Sequence, residues 1–459
     1  MPPPLALFLW LVLLLALLWF DPARVPKTSA ALWVPLIWMF FLGSRAPTLW
    51  LSGKGGQVAG ALEEGTPLDH SIYLALILLA IGILVSRSLR WGAFLTHNAA
   101  LTAMLVFALV SVCWSDYSFI AFKRWFRDLG SYLVILVVLS DPQPLEAIRT
   151  LIRRLCYLLI PLSVVLVKYF PDIGRAYDFW TGTATYSGAT TSKNMLGTAC
   201  LLSGLFFFWD TVTRWADRKE RRTKRIILVN VGFIAMTIWL LYMCDSATSR
   251  LCLILGCLVI AAAHSKGSQR HPGFLKVMIP SAYLLYVVLA FGLGLNAQLA
   301  ASVGRDPTLT GRTHIWDAVL SIHTDPLLGV GYQSFWLGPR LERVWSTYGG
   351  VINETHNGYL DVYVNLGYIG VFLVIGFLIA AYRNIWRRLK PFSILGSLTL
   401  AVWTILLFYN ITEAAFEGGL LWMTLLLGAI SLPQHAMHRV PSVAAFEGTE
   451  ASEQLPVVS

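Results

Sequence analysis

Charge is what this chain has least of. Only 13% of its 459 residues are Asp, Glu, Lys or Arg, while 56% are hydrophobic; an ordinary soluble domain carries about 25% charged residues. That shortage excludes a water-soluble globular protein. The six cysteines (Cys113, Cys156, Cys200, Cys244, Cys252 and Cys257) lie in or at the ends of apolar runs. No large polar loop holds one, so no disulfide framework is indicated. The sequence has no HExxH, no Cys/His cluster of zinc spacing and no Walker-type glycine loop. An ATP-driven machine would need another subunit, and neither a metal nor a cofactor is expected. The alternating ten-residue pattern of a membrane barrel is missing too. The apolar runs are continuous, and in lipid only a helix satisfies its own backbone within one segment.

What is present is a series of such runs, near residues 4–20, 29–43, 71–86, 98–114, 129–140, 155–170, 195–212, 226–244, 246–263, 276–294, 359–382, 393–410 and 418–432. The fold class is therefore all-α: a polytopic integral membrane helical bundle of twelve or thirteen spans. The second and fifth runs fall below the roughly 17 residues of a full crossing. If one is re-entrant, the N-terminus changes side. The first run reads as a retained helix, because Asp21-Pro22-Ala23-Arg24 offers no small-residue cleavage site.

Lys and Arg in alternate connections number 22 in one set and 12 in the other, with seven in TRWADRKERRTKR alone. The richer set is expected on the cytoplasmic side, which makes 44–70, 171–194 and 295–358 extracytoplasmic. Most of the net charge of +10 is then topological, and no nucleic-acid partner is expected. The chain divides into N-terminal spans (1–97), central spans (98–294), an extracytoplasmic loop with short amphipathic helices (295–358), C-terminal spans (359–432) and a disordered cytoplasmic tail (433–459). No internal repeat is evident.

In such a chain the expensive polar groups mark function. The loop carries Arg305, Arg312, His314 and Thr355-His356-Asn357-Gly358. Basic residues on the outer side stand in four contexts: FKRWFRDLG (Lys123, Arg124, Arg127), TTSKNMLG (Lys193), DSATSRL (Arg250) and TLTGRTHIW (Arg312). Any one alone fits an interfacial side chain snorkelling to lipid phosphate. Together they suggest an anion site suited to a pyrophosphate, which guanidinium forks bind bidentately. Arg312 opens a stripe of Ile315, Trp316, Val319, Leu320 and Ile322 with helical spacing. An amphipathic helix lying on the membrane is expected there, its N-terminal amides and Arg312 facing one phosphate; the plainer reading of Arg312 is an interfacial anchor.

His356 adjoins a span in which Asn357, Asp361 and Asn365 recur every four residues. Such a stripe is expected to face a cavity. The imidazole could accept a proton from a hydroxyl near neutral pH, or it could simply cap the helix. His314 and His323 read as surface residues. Glu413 and Glu417 share a helical face if helical, where they would orient sugar hydroxyls or a histidine; otherwise they form a solvated turn.

The ordered motifs WSDYSFIAFKRWFRDLG, TSKNMLG, SATSRL, LTGRTHIWDAV with DPLLGVGYQSFW, and THNGYLDVYVNLGYIG resemble the O-antigen ligase and polymerase superfamily, above all its exopolysaccharide-polymerising members. The resemblance covers residues 100 to 430. It implies a glycosyltransferase of the bacterial inner membrane, acting on the extracytoplasmic face without metal or nucleotide sugar. The implied donor is a glycan on undecaprenyl diphosphate, and the acceptor a glycan or lipid-linked glycan. Membrane lipids and other polysaccharide-assembly proteins are implied partners. By the same resemblance Arg312 and Arg250 hold the diphosphate, His356 activates the acceptor, and Lys193, Arg124 and Arg127 are further phosphate ligands; Asn357, Asp361 and Glu413 complete the expected substrate site. Polymerisation is preferred over ligation to lipid A core, with transfer to a protein hydroxyl a lesser option. A transporter or flippase of an anionic lipid would use the same cations, but it calls for paired broken helices at mid-membrane.

Overall fold

The computed structural model describes residues 1–21, 28–52, 66–177, 182, 184–295, 298, 311–349, 352–388, 395–416 and 418–432. Arg305, Glu417 and the expected tail 433–459 lie outside the described residues. The described residues form a helical membrane protein. In chain order the helices are α1 (Pro3–Trp19), α2 (Trp33–Leu42), α3 (Pro47–Ser52), α4 (Pro67–Ser86), α5 (Trp91–His97), α6 (Ala99–Val110), α7 (Ser118–Leu139), α8 (Pro144–Tyr169) and α9 (Pro171–Gly174). After a hairpin of β1 (Arg175–Tyr177) and β2 (Ala184–Tyr186) come α10 (Lys193–Arg214), α11 (Arg221–Cys244), α12 (Ala247–His264), α13 (Lys266–Arg270) and α14 (Pro272–Val287). The loop region holds α15 (Arg312–Leu320) and α16 (Gly338–Tyr348), and α17 (Gly358–Arg388), α18 (Gly396–Thr412) and α19 (Leu420–Ala429) complete the bundle.

Local chemistry sets many of the helix starts. Pro67 opens α4 behind Thr66, whose hydroxyl accepts from the Asp69 amide at 3.2 Å, and Ser192 caps α10 by accepting from the Met195 amide at 3.2 Å. Both devices satisfy amides that a helix start leaves unpaired. Among the described residues seven helices are long and apolar enough to cross a bilayer. The pair α5–α6, bent by 98°, makes an eighth if it is one span, and four apolar helices are shorter. With those four and α7, which is charged along its first half, the apolar helices number twelve or thirteen, but only seven or eight of them are of spanning length and composition. The fifth expected span, 129–140, is the apolar half of this 22-residue helix, so it is not short after all.

The centre of the bundle is α18 and α19, buried almost throughout, with α10 against both. Near the loop-distal end of α10 a charged knot ties four helices. Arg153 (1% exposed) lies 3.1 Å from Asp210 and 3.7 Å from Asp21, while Arg154 and Arg214 pair with Asp21 and Asp210 at 2.9 and 3.0 Å. Asn230 on α11 donates to Asp210 at 3.0 Å. Buried charge persists only when paired in this way.

α17 is a broken span. At Gly367 φ is 63° and ψ −167°, outside helical geometry. Loop residues 326–331 take over the backbone groups freed there: Val330 and Gly331 donate to the carbonyls of Val364 and Asn365, at 3.1 and 2.9 Å, and Tyr368 and Ile369 donate to Pro326 and Leu327, at 2.8 and 3.3 Å. A Cβ on Gly367 would stand 2.2 Å from the Leu327 backbone, and one on Gly329 2.4 Å from that of Asn365. Two glycines therefore let loop and helix touch main chain to main chain. A helix break at membrane depth is tolerated where protein satisfies it.

The loop has its own small core of Ile315, Ala318, Val319, Ile322, Phe335 and Val344, closed by Val364 of α17. This corrects the expectation of a helix lying on the membrane: the stripe of α15 turns inward onto α16 and the Phe335 turn, and Leu320 alone of the stripe's aliphatic residues is well exposed.

Candidate active site

Three segments distant in sequence meet at the end of the bundle that carries the loop. Arg312 is the first residue of α15, following Gly311 in the left-handed region at φ 82°. Glu413 ends α18 in extended conformation, and its carbonyl accepts the Gly358 amide at 3.0 Å. His356 stands in the turn that leads into α17, at φ 51°, a conformation uncommon for a non-glycine residue.

Glu413 is the hub. Its Oε1 accepts from the Arg312 guanidinium. Its Oε2 accepts from Nδ2 of Asn194, on the first turn of α10, at 3.1 Å and lies 3.4 Å from Nδ1 of His356. His356 Nδ1 is closer still to Glu354, at 2.9 Å. Neither approach is aligned for a directional hydrogen bond, so the contact is an ion pair shared between two carboxylates. Arg312 and His356 balance Glu354 and Glu413 charge for charge.

This arrangement decides the charge of His356. Burial alone would lower its pKa, but contact with Glu354 and Glu413 outweighs that and pushes it up to about 10. Burial would likewise raise Glu354, yet the close contact with charged His356, with Arg312 beyond, holds it below its usual value. The expected imidazole titrating near neutral pH is not met here: in this state His356 is an imidazolium. Glu354, His356 and Glu413 also each offer one ligand atom, all within 4.8 Å of one another. A divalent cation would suit that donor set, but it would have to compete with Arg312 for Glu413.

The polar stripe of α17 does something other than line a cavity. Asn357 caps the helix, accepting from the Tyr359 and Leu360 amides at 3.1 Å each. Asp361 accepts from Nε1 of Trp336 at 3.1 Å and from the Thr355 amide at 3.3 Å. Asn365 accepts from the Ser334 and Phe335 amides at 2.8 and 3.0 Å. The Thr355 carbonyl in turn accepts from Trp316 of α15 at 3.0 Å. The stripe is thus the seat on which the loop is fixed, and it holds the residue before His356 from both sides.

The remaining sequence candidates fall in two groups. Lys193 is the first residue of α10, next to Asn194, and Arg250 stands on the first turn of α12, paired with Asp245 at 2.6 Å. The hydroxyls of Thr248 and Thr412 meet at 3.1 Å, which brings the start of α12 to the residue before Glu413. Arg124 and Arg127 are elsewhere, on α7. Arg124 donates to the Gln333 carbonyl at 2.5 Å, and Arg127 pairs with Asp128 at 3.1 Å. Sequence reasoning missed Asn194 and Glu354. Both sit beside residues that were chosen, and only the fold shows that they converge on Glu413 and His356.

Residues 231–375 match the family model described as O-Antigen ligase, a stretch that includes Arg250, Arg312, His356 and Asp361. The chain is also 28% identical over 301 residues to the exopolysaccharide production protein ExoQ of Rhizobium meliloti (strain 1021). That alignment spans 62% of this chain and 65% of the relative, slightly under two thirds of its length.

Proposed function

Starting from a chain that is O-antigen ligase and polymerase-like in its motifs, its family match and its relative, we propose that it is a membrane glycosyltransferase that lengthens a polysaccharide. It would transfer a glycan from undecaprenyl diphosphate to an acceptor glycan on the extracytoplasmic face of the bacterial inner membrane. The observation that carries this reading is the convergence of Arg312, His356 and Glu413 from three segments at the loop end of the bundle.

In the proposed reaction the acceptor hydroxyl oxygen bonds to the anomeric carbon. The bond from that carbon to the diphosphate oxygen breaks, its electron pair leaves with the diphosphate, and the hydroxyl proton passes to the Glu354–His356–Glu413 cluster. Arg312, with Arg250 and Lys193 on the neighbouring helix starts, would meet the charge growing on the diphosphate. Preorganised charge of this kind contributes about 2.7–4 kcal/mol per donor. It would stand in for a metal. The helix N-termini of α10, α12 and α15 add amides to the same end. Because His356 begins as an imidazolium, it would first steady the incoming diphosphate. The proton acceptor would then be the Glu413 carboxylate, released as that anion draws Arg312 away, with His356 staying charged beside the diphosphate.

The test is turnover of a radiolabelled undecaprenyl-diphosphate oligosaccharide by purified protein, with and without EDTA. Longer glycans and released lipid diphosphate, lost in Arg312→Ala and His356→Ala, would support polymerisation. Consumption only when lipid A core is added would replace it by ligation. A donor that is never consumed but crosses vesicles would sink the enzyme reading.

A further inference from the structure

The proposed reaction makes no use of the charged first half of α7, where Arg124 and Asp128 stand four residues apart. That spacing puts both side chains on one helix face, with Cβ atoms about 5–6 Å apart, and the face meets the turn of residues 331–336. Arg124 Nη1 donates to the Gln333 carbonyl at 2.5 Å. One oxygen of Asp128 accepts from the Tyr332 hydroxyl at 2.9 Å and from Nε2 of Gln333 at 2.7 Å, while the other pairs with Arg127 at 3.1 Å. A cation and an anion on one helix thus grip the main-chain carbonyl and the side-chain amide of the same glutamine.

The glutamine needs that grip. Gln333 has φ 46° and Gly331 φ 97°, and a left-handed residue other than glycine persists only where its surroundings over-determine it. The link between α6 and α7 adds further contacts: the Ser111 hydroxyl accepts from the Tyr332 amide at 3.0 Å, the hydroxyls of Ser115 and Ser334 meet at 2.7 Å, and a Cβ on Gly331 would stand 2.6 Å from Cβ of Ser115. From the other side, Asn365 accepts the Ser334 and Phe335 amides and Asp361 accepts the Trp336 indole N–H. Asp361 also accepts the Thr355 amide. A continuous path therefore runs from α7 through the turn to Asp361 and Thr355, with two left-handed residues, Gln333 and His356, at its ends.

We infer that Arg124 and Asp128 are positioning residues of the transfer reaction, which hold the 331–336 turn and, through it, the turn that carries His356. The inference rests on the glycosyl-transfer reading above, and it gives the α7 charges a task other than the phosphate binding expected from the sequence. The pairing of opposite charges on one face is what favours it. A phosphate site gains nothing from a carboxylate beside its arginines, whereas a turn that offers a carbonyl, a hydroxyl and an amide needs a donor and an acceptor together.

The test compares full-length wild type in detergent with Arg124→Ala, Asp128→Ala, Arg124→Lys and the milder Tyr332→Phe, which removes one donor to Asp128 and serves if an alanine variant does not fold. Hydrogen exchange read by mass spectrometry should quicken several-fold in peptides covering 332–336 and 353–357, and stay as in wild type along α10. In turnover of the undecaprenyl-diphosphate oligosaccharide, both alanine variants should lose kcat, by up to about 100-fold, as a small misplacement can cost. Donor KM should hardly change, and Arg124→Lys should recover most of the rate. Opposite effects on the donor, a KM raised in Arg124→Ala and lowered in Asp128→Ala, would make Arg124 a phosphate ligand and overturn the inference. Unchanged exchange at 353–357, quickened exchange there with kcat intact, or exchange quickened equally throughout the bundle would overturn it as well. If the wild type itself turns over no donor while the exchange pattern stands, the glycosyltransferase reading fails and the hold of Arg124 and Asp128 on the His356 turn survives.

Discussion

The Arg312 guanidinium donates to the Glu413 carboxylate across 101 residues of sequence, joining the first residue of α15 to the end of α18. An internal carboxylate thus occupies the guanidinium proposed to take a diphosphate, and the same carboxylate faces His356 at 3.4 Å. Glu413→Gln keeps the shape and removes the charge that both cations share. Transfer should fall roughly 10- to 100-fold, the equivalent of about 1–3 kcal/mol for a lost charged partner. The His356 pKa should also move down toward its ordinary value. Kinetics together with an NMR titration of His356 would check both, and a histidine pKa that did not move would show that Glu413 does not set its charge.

His356 should make stability fall at alkaline pH. Its pKa is 6.5 in the unfolded chain and is pushed up to about 10 in the folded one, so the folded state holds more protons between those values. The stabilisation is complete below pH 6.5 and is lost as pH rises through about 10. Thermal unfolding of wild type and His356→Gln across that window should converge at the alkaline end, and parallel curves would show that the ion pair contributes nothing.

Much of this was legible in the sequence, for a physical reason: continuous apolar runs allow few structures in lipid, so helix positions followed from hydropathy. The arginine and histidine of the cluster were visible because charge is rare here. What could not be read was direction. Asn357, Asp361 and Asn365 stood out as a polar stripe, but whether such a stripe faces water or a docked loop depends on residues 326–336, which reach it only through the break at Gly367. Glu354 and Asn194 were equally hidden, since their importance lies wholly in their distance to partners far along the chain. The charge of His356 followed from those same unseen partners.

Asp361 should behave as a positioning residue. Asp361→Ala leaves the Trp336 indole N–H and the Thr355 amide without their acceptor, at about 1–3 kcal/mol for each buried unsatisfied group. Asp361→Asn keeps an accepting oxygen and should rescue most of that stability. Chemical denaturation of the three proteins, with kcat and KM measured alongside, would check the order. An asparagine variant as unstable as the alanine would mean that charge, not hydrogen bonding, is what matters at this position.

Gly367→Ala should prevent the loop from seating. The residue needs φ 63°, and a Cβ there would lie 2.2 Å from the Leu327 backbone, which cannot swing aside like a side chain. The loop must lift off the break, leaving the Val364 and Asn365 carbonyls without their donors. Proteolysis near residues 326–331 should become faster by an order of magnitude or more, and equal protection in wild type and variant would refute the seating role.

The knot around Arg153 predicts a loss of stability without loss of chemistry. Arg153→Ala leaves Asp210 with Arg214 and Asp21 with Arg154 as their remaining cations, so the loss should stay below the value of about 3–5 kcal/mol typical of removing the sole partner of a buried charge. Replacing Arg153 and Asp210 together by leucine removes both charges, so it should cost less than the single change; Asp21 keeps Arg154 at 2.9 Å. Asp210 lies near the far end of α10 from Asn194. Activity per folded molecule should therefore stay near wild type in both variants. Thermal unfolding in detergent measures the first expectation, and specific activity of the folded fraction the second. A double variant less stable than the single one would mean that the knot stabilises the bundle through its charges rather than merely tolerating them.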